Sequence, residues 1–68
     1  MAQRYSIFKS KNTVRVILLE LPEHFHEIGY DRNGEVYTEN SFDEYKISND
    51  LQDEMRELAL LEFESNLT

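Results

Sequence analysis

Thr13-Val14-Arg15-Val16-Ile17-Leu18-Leu19-Glu20-Leu21 is the strongest strand signal in the chain. It is rich in β-branched residues, which suit a pleated, half-buried surface. Side chains alternate between faces along a strand, so Val14, Val16 and Leu18 share one face. Arg15, Ile17, Leu19 and Leu21 share the other. Pro22 ends the strand, because proline has no amide to donate to a central ladder.

Working outward, Arg4 to Lys9 reads as a preceding strand, and Ser10-Lys11-Asn12 as the turn between the two. On the other side, His26 to Tyr30 and Glu35 to Thr38 flank Asp31-Arg32-Asn33-Gly34. A type I turn followed by a left-handed glycine closes such a hairpin, and Gly34 stands where that glycine is required. After Thr38 the hydrophobic period changes. Ser41-Phe42-Asp43-Glu44 has the form of a capping box, which predicts a short helical turn or a loop. Ser48 or Asn49 begins the main helix, with Asp50, Asp53 and Glu54 near the positive end of its dipole. The helix is expected to run to about Ser65 or Asn66.

There is no repeat, no low-complexity tract and no linker long enough to divide domains. Residues 1–68 are therefore expected to form a single domain of the α+β class. It would be a small antiparallel sheet, about a four-stranded meander, with one long C-terminal helix packed on one face.

Composition narrows the function classes. A chain of 68 residues buries only about 60% of the surface its unfolded form exposes, so its core is small. The absence of Cys excludes a disulfide framework and a Cys-based zinc site. No apolar run is longer than Val16-Ile17-Leu18-Leu19, far short of the roughly 20 residues that span a bilayer. Lys9, Lys11 and Arg15 interrupt any signal-peptide core, so a soluble, cytoplasmic protein is expected.

The formal net charge is −7. That sign disfavours general nucleic-acid binding and docking on an anionic membrane. The charge is also unevenly placed. Residues 1–19 carry Arg4, Lys9, Lys11 and Arg15 and no acid, whereas residues 20–68 carry three bases and all 14 acids. Such asymmetry arises from a basic arm with an acidic face, or from two halves that neutralise each other across a sheet.

At about 100° per residue, Leu51, Met55, Leu58, Ala59 and Leu61 cluster on one side of the helix and are expected to pack on the sheet. Leu60, Phe63 and Leu67 are expected on roughly the opposite side, with Asp50, Asp53, Glu57 and Glu64 between. Glu62 projects toward the centre of the first stripe, which implies either a place beyond the sheet edge or a pairing with Arg4 or Arg15. The second strand is apolar on both faces, which normally means cover on both. A candidate partner-binding surface follows: Ile17, Leu19, Leu60, Phe63 and Leu67, making the protein a homodimer or one half of a complex with another protein. Asp53 and Glu57 share a helix face and are the candidate acidic contacts.

Signals for chemistry are sparse. His24-Phe25-His26 places two imidazoles on one side of an extended segment, but a zinc site needs three or four protein ligands and the chain has two His. The segment reads as a loop with two solvated histidines and no metal. Asp43-Glu44 and Asp53-Glu54 are adjacent pairs that diverge on a helix, which is unsuited to paired acid–base work. No nucleophile motif is present, and two Gly cannot build a phosphate-cradling loop. No catalytic residue, cofactor or small-molecule substrate is expected. The expected function is a small acidic non-catalytic protein-interaction module, and an inhibitor or antagonist that occupies a partner's surface fits that description. The alternative is a nucleic-acid-binding or regulatory module. Arg4, Tyr5, Phe8, Lys9, Lys11 and Arg15 interleave bases with aromatics and could stack single-stranded bases.

Overall fold

The computed structural model describes residues 4–43 and 45–67, with side chains to residue 65. Four strands, β1 (Tyr5–Lys9), β2 (Thr13–Leu18), β3 (Phe25–Tyr30) and β4 (Val36–Ser41), precede one helix, α1 (Asn49–Leu67). The strands form one antiparallel sheet in the order β1-β2-β3-β4, the expected meander. α1 packs across β2 and β3.

β2 ends at Leu18, three residues earlier than its apolar run suggests. Leu21-Pro22-Glu23-His24 forms a turn, with the His24 amide donating to the Leu21 carbonyl at 2.9 Å. Pro22 occupies the turn position that its fixed φ favours. The Leu18 amide bonds to the His24 carbonyl at 3.1 Å, so the chain reverses over 19–23. Leu21 thus belongs to a connection and packs against the edge of the core.

The β3–β4 turn has the expected geometry. Gly34 has φ of 80° and donates to the Asp31 carbonyl at 3.0 Å. The Asp31 carboxylate accepts from the amides of Asn33 and Glu35 at 2.8 and 3.0 Å, which pins the loop. Gly29 answers a different need. A Cβ there would lie 2.7 Å from the Asn12 carbonyl oxygen. That oxygen is held by the Tyr30 amide at 2.9 Å, so the β1–β2 turn approaches β3 too closely for a side chain.

Ser41 is the last residue of β4, not the cap of a helical turn, and Glu44 lies outside the described residues. Asp43 organises the connection instead. Its carboxylate accepts from the Tyr45 amide at 2.9 Å and its carbonyl from those of Lys46 and Ile47. Ser48 caps α1, its hydroxyl oxygen accepting from the Leu51 amide at 3.2 Å.

Val14, Val16, Leu18 and Ile28 from the sheet meet Met55, Ala59 and Phe63 from α1, with Ile47 closing one end. The expectation that Phe63 lies on a second, free helix face is overturned. Phe63 is buried, its ring centroid 5.1 Å from that of Tyr30. Successive positions four apart advance by only about 40°, so Phe63 continues the row Met55–Ala59. Leu61, expected in the buried stripe, is 57% exposed. Glu62 meets Lys9 at 2.6 Å, so the cation it pairs with is neither Arg4 nor Arg15.

Candidate interaction surface

α1 covers only one face of the sheet, and this divides the predicted partner residues between two sides of the molecule. Ile17 lies half-buried on the uncovered sheet face. Leu19 follows β2 in the bend and is exposed. Leu60 is exposed on the outer side of α1. Phe63 is in the core, and the side chain of Leu67 lies outside the described residues. The described residues of the expected apolar surface therefore do not share one face. The reason is that α1 packs on the Val14–Val16–Leu18 face, which places Ile17 and Leu60 on opposite outer sides.

The outer side of α1 is built from residues at helical spacing. Asp53, Glu57, Leu60 and Glu64 follow one another at intervals of four, three and four, which keeps them within one narrow arc. All four are exposed. Asp53 accepts from the Arg56 guanidinium at 2.9 Å. Ion pairs tie Lys9 to Glu62 and Arg15 to Glu27, so half of the basic residues of the N-terminal segment are engaged within the fold. Leu60 and Leu61 stand 46% and 57% exposed amid those carboxylates. The arrangement offers negative potential with an apolar contact in the middle.

The uncovered sheet face carries a polar network. Register places Phe8, Arg15, Glu27 and Glu39 in one row across the four strands. Arg15 Nε donates to Glu27 at 2.9 Å and the Tyr37 hydroxyl donates to the other Glu27 oxygen at 2.7 Å. That bond, followed by burial, holds the Tyr37 phenol above its usual pKa. The Arg15 guanidinium also lies 4.5 Å from the Phe25 ring centroid. An open hollow of about 410 Å³ lies between Phe8, Arg15 and Ile17. This network was findable in the sequence only after the β2–β3 register was known, because Arg15 and Glu27 are a pair across strands.

His24 and His26 are not solvated. They are 2% and 6% exposed. His24 Nδ1 approaches the Leu21 carbonyl at 3.3 Å within the turn. His26 belongs to β3 and its ring stacks on Phe42, with centroids 6.3 Å apart and planes within 7°. Its Nδ1 is buried with no hydrogen-bond partner. Burial, then the nearby Arg56 charge, lowers its pKa. The reason for the difference from expectation is the turn at Pro22, which buries His24 at its close and leads straight into β3, where His26 faces the core beside Val16. Among the described residues, no three His, Asp or Glu side chains gather at metal-binding distance. No helix of the described residues is long and apolar enough to cross a membrane. No family model, curated protein or solved structure matches this chain.

Proposed function

We propose that the protein is a small acidic binding module that acts without catalysis, docking the outer face of α1 on a basic surface of a partner protein in the cytoplasm. The observation that carries this reading is the line Asp53–Glu57–Leu60–Glu64, exposed along one arc of a helix whose opposite side is fully engaged with the sheet. Exposed carboxylates steer encounter with a basic groove, and a central leucine adds area removed from water. A module of this kind inhibits by occupation. The nucleic-acid alternative is weaker, because Lys9 and Arg15 are engaged with Glu62 and Glu27.

The test is a comparison of proteins captured from host extract by the wild type and by an Asp53→Lys, Glu57→Lys, Glu64→Lys triple variant, at low and high salt. The proposal expects a basic protein retained by the wild type at low salt and lost with charge reversal. An identical captured set for both would contradict it, as would retention of polynucleotide by the wild type.

A further inference from the structure

The two edges of the sheet are treated differently. Arg4 immediately precedes β1 and Lys9 ends it, so cations flank that edge, and Lys9 is held against the helix side by Glu62. Charged residues, above all lysine, are the usual guard against edge-to-edge pairing. β4, Val36-Tyr37-Thr38-Glu39-Asn40-Ser41, has no Lys, no Arg and no Pro, and α1 lies over β2 and β3 without reaching it. Five of its six residues are exposed.

The backbone orientation of β4 follows from its turn. The Asp31 amide donates to the Glu35 carbonyl, so Asp31 and Glu35 form a hydrogen-bonded pair. Antiparallel ladders alternate, and therefore Tyr37, Glu39 and Ser41 bond inward to β3. The amides and carbonyls of Val36, Thr38 and Asn40 point away from the sheet.

We infer that β4 is a pairing edge for a second copy of this chain, joining two sheets into one through an antiparallel β4–β4 ladder centred on Thr38. This inference stands apart from the helix-face reading above, since it uses neither the acids of α1 nor its leucines. A two-fold centred on Thr38 engages all three outward residues of each copy, giving about six hydrogen bonds. It sets Thr38 against Thr38 of the second copy and Val36 against Asn40. It also sets Glu39, the only carboxylate of the strand, opposite a tyrosine instead of opposite itself. Centring on Glu39 would oppose two carboxylates, and centring on Tyr37 would oppose Glu35 and Glu39, both of which repel. Centring on Val36 would drive the Asp31–Gly34 turn into the second strand. The Thr38-centred register is thus the one that pairs every outward group of β4 and opposes no two carboxylates.

The experiment is sedimentation of the intact chain from about 10 µM to about 1 mM. The wild type is expected to rise from 8.1 kDa toward twice that mass. Thr38→Pro deletes an outward amide, which an edge strand tolerates, and is expected to hold the single-chain mass with an unchanged circular-dichroism spectrum. Thr38→Lys keeps the amide and sets two ammonium groups face to face. It is expected to weaken association at least tenfold and serves if the proline variant fails to fold. A wild type that stays at 8.1 kDa throughout overturns the inference. So does a folded Thr38→Lys chain that associates as tightly as the wild type.

Discussion

Arg15 on β2 and Glu27 on β3 lie directly opposite one another on the face that α1 leaves open, and the guanidinium donates to the carboxylate across 2.9 Å. Glu27 also accepts from Tyr37 on β4, so one carboxylate links three strands. Arg15 is thus paired within the sheet, and the face of β2 that carries Ile17 is not purely apolar.

A double-mutant cycle on Arg15→Ala and Glu27→Ala should therefore give a coupling of about 0.5–1 kcal/mol, since the pair is part-buried. Glu27→Ala should cost more than Arg15→Ala, because it also strands the Tyr37 hydroxyl. Urea melts of the four proteins measure both. Equal single costs would mean that the Tyr37 bond adds nothing.

The two glycines should respond differently to alanine. Gly34→Ala meets no atom within 4 Å and is strained only by its φ of 80°, costing about 1 kcal/mol. Gly29→Ala places a Cβ 2.7 Å from the Asn12 oxygen and should cost at least about twice as much, because backbone must shift. A Gly29→Ala chain as stable as Gly34→Ala would show that the β1–β2 turn yields freely.

Stability should depend on pH through His26. Its pKa in the folded chain is lowered, so below about 6.5, the ordinary histidine value, the unfolded chain binds more protons than the folded one. Stability is then full above that value and declines as pH falls from it toward the lowered folded pKa. His26→Gln should flatten the decline between about pH 5.5 and 7, a window chosen above the carboxylate range. Thermal melts across that window check it; a wild-type curve already flat would contradict the burial of a neutral imidazole.

Much of the fold was readable because local signals agreed. Alternation set β2 and its core face. The Asp31–Gly34 turn set the second hairpin, and Ser48 set the start of α1. The errors came where a small angular difference or a tertiary contact decides. Phe63 and Leu61 differ by only two positions, and the choice between them rests on the row begun by Met55 and Ala59. His24 and His26 read as solvated loop residues, whereas the turn at Pro22 and the start of β3 bury both. The Arg15–Glu27–Tyr37 network needs strand register, which no local pattern states. The acidic row on α1 was visible from spacing alone.

Phe63→Ala and Leu60→Ser should separate the two sides of α1. Removing the buried ring should cost about 3–5 kcal/mol and broaden or abolish the thermal transition. Leu60→Ser should shift stability by no more than about 0.5 kcal/mol. Calorimetry on the pair checks the assignment, and a large loss at Leu60 would place that residue in a buried interface instead.

Contact mapping in cells tests whether the outer face of α1 meets a basic protein. A photo-crosslinking amino acid would replace Leu60 in one chain and Phe8, on the opposite side of the molecule, in another. A discrete protein adduct is expected from position 60, mapping to a basic surface of that protein and lost when Glu57 is changed to Lys. Adducts from position 8 alone, or an adduct at position 60 indifferent to Glu57→Lys, would contradict it.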